Sequence, residues 1–91
     1  MTPLNLGKLA YHIEKGQLDT SKTIEMKDLL NAGVVSKIAH GVKLLGKGSD
    51  KFAALGQSVN LEIADASSEA INAIKGNGGA VSMQYRTDLL L

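Results

Sequence analysis

Cysteine is absent from these 91 residues, which removes disulfides, thiolate nucleophiles and most structural zinc sites at once. Aromatic residues amount to 3%, one Phe and two Tyr with no Trp. A core must therefore be assembled from Leu, Ile, Val, Met and Ala, and stacking platforms for single-stranded nucleic acid are nearly excluded. No apolar run approaches the roughly 20 residues that a membrane-spanning helix needs, and Met1-Thr2-Pro3-Leu4 has neither the charged lead nor the apolar stretch of a signal peptide. The chain is expected to be soluble, without membrane contact. A basic, acidic-poor transit peptide is not visible either, so an organellar form would be imported by a piece outside these residues or made inside the organelle.

What is present is an ordinary folding composition, 44% hydrophobic and 21% charged, far from the signature of disorder. The length suits one core, because a second would have too little chain to close it. The net charge of +1 conceals an uneven distribution. Residues 1–33 balance four Lys against Glu14, Asp19, Glu25 and Asp28. Residues 34–57 carry Lys37, Lys43, Lys47 and Lys51 against Asp50 alone, and residues 58–91 carry Lys75 and Arg86 against Glu62, Asp65, Glu69 and Asp88. A basic centre between neutral and acidic ends is compatible with one edge facing nucleic acid; scattered solvated lysines would read the same.

Leu6, Leu9, Ala10 and Ile13 fall at i, i+3, i+4 and i+7, the stripe of an amphipathic helix, with Asn5 to cap its start and Gly16 its end. Gln17 to Lys22 reads as a polar connector. Met26, Leu29 and Leu30 predict a short second helix stopped by Gly33, with Val34 and Val35 opening a loop. Gly41 to Gly46 and Val59 to Ile63 have the form of strands, and Gly46 to Lys51 that of a turn. Ser67 or Asp65 can cap a third helix with Ala70, Ile71 and Ile74 on its inner face, ended at Asn77-Gly78-Gly79. Val81, Met83 and Tyr85 alternate as a last strand. The strand, helix and strand from Val59 to Tyr85 predict a parallel pair with a right-handed crossover. The fold class is thus α+β, a small mixed domain with two N-terminal helices, short strands and a C-terminal β-α-β unit. The predicted core is Leu6, Leu9, Ile13, Met26, Leu29, Leu30, Val42, Leu44, Leu61, Ile63, Ile71, Ile74, Val81 and Met83.

Catalytic chemistry finds little support. Gly46-Lys47-Gly48 lacks the spacing of a phosphate loop and the third glycine of a dinucleotide fingerprint. His12 and His40 each stand without a second ligand at metal spacing. Ser67, Ser68 and Glu69 are explained by a helix start, and Glu62 with Asp65 by solvation or capping. No enzyme activity, cofactor, metal or small-molecule substrate is expected.

Taken in order, Asn5-Leu6-Gly7-Lys8-Leu9, the Gly16 stop, Met26-Lys27 with Leu29 and Gly33, Gly41 to Gly48, Val59 to Ile63, and Ala70-Ile71 to Ile74 followed by Gly78-Gly79-Ala80-Val81 resemble the C-terminal domain of large-subunit ribosomal protein fifteen. The resemblance runs from about Leu4 to Tyr85, within a domain expected over residues 4–88. The connector Leu18 to Lys22 and the tail Tyr85 to Leu89 look like the mitochondrial branch, which implies a mitochondrial ribosome, with the bacterial cytoplasm as the alternative. Only Met1-Thr2-Pro3 stands where family members carry a long basic RNA-threading arm, and Ser68 and Glu69 stand where the family tends to place a lysine. The resemblance implies a structural constituent of the large subunit, with ribosomal RNA and neighbouring ribosomal proteins as partners; a non-ribosomal interaction module of the same fold is the alternative. The expected RNA-facing residues are Lys37, His40, Lys43, Lys47, Ser49 and Lys51. Leu89, Leu90 and Leu91 are the expected protein contact, since consecutive leucines near a chain end offer apolar surface for a partner to cover.

Overall fold

The computed structural model describes residues 2–36 and 41–83. Ten elements follow one another: β1 (Thr2–Asn5), α1 (Leu6–Glu14), β2 (Ile24–Glu25), α2 (Met26–Asn31), β3 (Val42–Leu45), α3 (Ser49–Ala54), β4 (Asn60–Ile63), β5 (Asp65–Ala66), α4 (Ser68–Gly76) and β6 (Ala80–Met83). The architecture is α+β. The strands sort by parity into two three-stranded sheets, β1-β3-β5 and β2-β4-β6, and every pairing is parallel.

In the β1-β3-β5 sheet each strand runs almost directly into a helix, β1 into α1, β3 into α3 and β5 into α4. The starts of three helices are therefore gathered at one end of one sheet, as parallel pairing dictates. The predicted β-α-β unit is present in β4, α4 and β6, with Leu61 opposite Val81 and Ile63 opposite Met83. The two-residue β5 interrupts it and hands the chain across from one sheet to the other.

α1 buries the stripe that its spacing predicts, Leu6, Leu9, Ala10 and Ile13. Asn5 stands at its N-cap without a side-chain hydrogen bond. The free amide of the first turn is met instead by the backbone, for Gly7 N–H donates to the Lys47 carbonyl at 3.0 Å. α2 buries Met26 and Leu29, and Glu25 N–H donates to Asp28 Oδ2 at 2.9 Å across its start. At the start of α4, Ser67 Oγ accepts from Ala70 N–H at 3.3 Å, the cap expected of it.

Several core expectations need correction. Leu30 is 37% exposed, because a six-residue helix has room for one inward pair and Leu30 lies about 100° round from Leu29. Met83 is 54% exposed, since β6 is an edge strand of its sheet. Ile71 and Val81 are half-buried; in α4 the inward positions are Ala70 and Ile74. The stretch read as a turn up to Lys51 ends at Gly48, and Ser49 opens α3. That helix drives Phe52 into the core at 0% exposure. Val34 and Val35 lie past the end of α2, outside helix and strand as expected, yet both side chains are buried, and Leu4, Leu18, Ile24 and Val59 complete the interior. No helix among the described residues is long and apolar enough to cross a membrane.

Candidate nucleic-acid interface

The turn between β3 and α3 is held from two sides. Gly48 adopts φ +86, a conformation that disfavours any residue with a Cβ, and a Cβ placed there would lie 2.5 Å from both Gly7 Cα and Gly7 N. The turn thus presses against the first turn of α1, backbone on backbone. On the other side a Cβ at Gly46 would meet Glu69 Cβ at 2.7 Å and Glu69 Oε2 at 2.8 Å. The Glu69 carboxylate therefore lies over the turn at the start of α4. Lys47 is pinned by its backbone between these two contacts while its side chain is exposed.

Around this turn the structure gathers Lys47, Ser49 and Lys51, all exposed. Ser49 is the first residue of α3, and its N–H donates to the Gly46 carbonyl at 3.1 Å. Lys51, one turn of helix on from Gly48, runs back along α1, so that a Cβ at Gly7 would lie 4.0 Å from Lys51 Cδ. Lys8, which charge averaging over residues 1–33 conceals, is exposed in the first turn of α1 beside Gly7.

Lys43 is placed differently. It alternates with the buried Val42 and Leu44 on the outward face of its sheet, opposite Asp65 in register, and its Nζ lies 3.8 Å from Asp65 Oδ2. Both side chains are close to half exposed, which makes this a weak, screened pair. Lys37 and His40 lie outside the described residues, as do Leu89, Leu90 and Leu91.

One aromatic ring escapes the expectation that exposed rings are nearly absent. Tyr11 is 56% exposed, its ring is edge-on to His12 with centroids 5.4 Å apart, and Lys15 Nζ stands 5.4 Å from its centroid. A groove of about 360 Å³ lies beside it between α1 and α3, lined by Gly7, Ala10, Tyr11, Glu14, Lys51 and Ala54. A second cavity of about 270 Å³ opens beside the Gln17 to Lys22 connector, where Asp19, Lys22 and Asp28 face Ile24 and Ala32. There Ser21 donates through its N–H and its hydroxyl to Asp19 Oδ1, and these bonds hold the Asp19 carboxyl below its usual value of 3.8. No group of three His, Asp or Glu side chains among the described residues is placed to hold a metal ion.

Comparison with known proteins gives this geometry its setting. The family profile that unites ribosomal proteins 50S-L15 and 50S-L18e with their counterpart in the 60S subunit matches residues 3–82. The chain is 39% identical over 88 residues to large ribosomal subunit protein uL15m of Schizosaccharomyces pombe, covering 97% of this chain and 34% of that protein. It is 39% identical over 87 residues to uL15m of Danio rerio, with 91% and 28% covered. To large ribosomal subunit protein uL15 of Methylobacterium radiotolerans it is 33% identical over 85 residues, with 93% and 48% covered. The chain thus spans about a third of the length of the uL15m relatives and about half of the uL15 relative.

Proposed function

The chain belongs to the family of ribosomal proteins 50S-L15 and 50S-L18e and their 60S counterpart, and from that premise we propose that it is a structural constituent of a large ribosomal subunit, not an enzyme, which lays its basic edge on ribosomal RNA. The observation that carries the reading is the rigid β3–α3 turn. Its backbone is fixed against α1, while Lys47, Ser49 and Lys51, with Lys8 alongside, remain exposed. Exposed lysines on a stiff turn meet phosphates with little loss of backbone freedom, and phosphate contacts position a protein without reading sequence. Lys37, Lys43 and His40 are proposed as further phosphate contacts. Leu89, Leu90 and Leu91 are proposed to contact neighbouring ribosomal proteins. The likeness to uL15m proteins supports a mitochondrial ribosome, and the likeness to bacterial uL15 keeps the bacterial cytoplasm as the alternative.

The test is a titration of the chain with large-subunit ribosomal RNA across a salt series. Each lysine that contacts a phosphate contributes about 0.7 to 0.9 to the slope of log K against log salt. Lys47→Ala with Lys51→Ala is expected to lower that slope by about 1.5. An unchanged slope removes the basic edge from the proposal. In a subunit-incorporation assay, a version lacking Leu89 to Leu91 is expected to incorporate poorly; full incorporation removes the protein contact.

A further inference from the structure

We infer that the groove between α1 and α3 receives one unpaired nucleobase of an RNA strand, stacked against Tyr11, with that strand's phosphates on Lys51 and Lys47; this rests on the RNA-facing reading above and names what its edge would hold. Gly7, Ala10, Tyr11 and Glu14 fall at i, i+3, i+4 and i+7 of α1 and so form one stripe. Lys51 and Ala54 face it from α3. Gly7, Ala10 and Ala54 leave the groove open, and about 360 Å³ lies within the size range of small-ligand sites. The ring supplies the wall. A tyrosine 56% exposed at the side of such a groove offers a π-face, and base stacking on aromatic side chains is the common device of single-strand recognition.

Charge selects this occupant over a helix of a neighbouring protein. Lys51 lines the groove, Lys47 meets its Gly7 end through the backbone, Lys8 is exposed nearby and Lys15 Nζ stands over one side of the Tyr11 ring, against Glu14 within the groove and Asp50 on α3. The lysines of the β3–α3 turn lie at the Gly7 end, while Glu14 lies at the other, seven residues or roughly 10 Å along the helix axis. That polarity orients a nucleotide, phosphate toward Lys51 and base edge toward Glu14. A carboxylate accepts hydrogen bonds, so it favours a base with an exocyclic amine, such as cytosine, over uracil, which offers oxygens in that place.

The experiment is an NMR titration of the chain with rC6, with rU6 and with polyphosphate as a baseless anion, on wild type and on Tyr11→Leu, Tyr11→Phe, Glu14→Gln and Lys51→Ala. Tyr11 is exposed, so its variants are expected to fold, which their amide spectra check. With rC6 the Tyr11 ring and the Gly7, Ala10 and Ala54 signals are expected to shift; with polyphosphate the lysine amides shift and the ring does not. Tyr11→Leu is expected to weaken rC6 binding about tenfold, within the range that losing one stacked base produces, while Tyr11→Phe keeps it. Glu14→Gln is expected to erase the preference for rC6 over rU6, and Lys51→Ala to weaken binding of all three. RNA binding that depends on Lys51 but is indifferent to Tyr11→Leu, or equal ring shifts with polyphosphate, overturns the groove and leaves the basic edge standing. Binding of neither RNA nor polyphosphate overturns both. An unperturbed groove with RNA bound elsewhere also overturns the inference.

Discussion

Phe52 does more for this molecule than its place in a polar-looking stretch suggests. Its side chain is fully buried, and its carbonyl accepts from Asn77 Nδ2 at 2.9 Å, so one residue joins α3 both to the core and to the end of α4. Phe52→Ala is expected to cost about 3 to 5 kcal/mol, a large share of a small domain's stability of about 5 to 15 kcal/mol. Ile71→Ala, at a half-buried position, is expected to cost well under half as much; urea titrations that rank the two the other way would contradict the packing described. Asp19 is a smaller case at the same scale. The two bonds from Ser21 favour its charged form, so its folded value is depressed. Such a contact stabilises the fold above the ordinary carboxylate value and is lost as pH falls through the lowered one. In an NMR titration Asp19 is expected to titrate below 3.8, and Ser21→Ala to return its midpoint toward that value.

Among the elements, the β3–α3 turn is the one on which the candidate edge depends. Gly48→Ala combines a positive φ with a 2.5 Å approach to the Gly7 backbone, which cannot be relieved by a side-chain rotation. Gly33 has a similar φ of +76 but nothing within 4 Å. Gly33→Ala is therefore expected to cost about 1 to 2 kcal/mol, the conformational term alone, and Gly48→Ala distinctly more, with loss of the Lys47-dependent part of RNA affinity. Equal midpoints for the two variants in denaturant would refute the close approach. The same elements mark the reach of sequence reasoning. α1 and α4 were legible because nine residues carry enough of a helical stripe to show a period. β2 and β5, of two residues each, are too short for an alternation to register, and β1, Thr2-Pro3-Leu4-Asn5, has a single large apolar residue and so shows none. α3 was hidden because Gly48-Ser49-Asp50 serves equally as a turn and as a helix start, and it has one large apolar residue to mark its inner face. In the candidate site Lys47, Ser49 and Lys51 stood out as a local run of charge and turn chemistry. The groove did not, because Tyr11 and Lys51 are forty positions apart and only the packing of α1 on α3 makes them neighbours.

For the whole molecule, charge sets how tightly the proposed edge can hold RNA. Its cations are few, and carboxylates stand among them: Asp50 lies between Ser49 and Lys51 on α3, Asp65 holds Lys43 at 3.8 Å, and Glu69 covers the turn that carries Lys47. Asp65 has therefore already drawn on Lys43, whereas Lys47 is left to phosphate with Glu69 opposing it. Lys43→Ala is accordingly expected to weaken RNA binding less than Lys47→Ala. Glu69→Gln removes the opposing charge without shortening the side chain that fills the space beside Gly46, so the turn keeps its shape. Exposed charge interactions amount to about 0.2 to 1 kcal/mol, so Glu69→Gln is expected to tighten binding to large-subunit ribosomal RNA by about two- to fivefold near 50 mM salt. Screening shortens the reach of charge to about 10 Å at 0.1 M and about 3 Å at 1 M, so the gain should fade as salt is raised. A gain that persists undiminished at high salt would mean that Glu69 acts by shaping the turn and not by its charge. No gain at low salt would mean that the phosphates lie away from the β3–α3 turn.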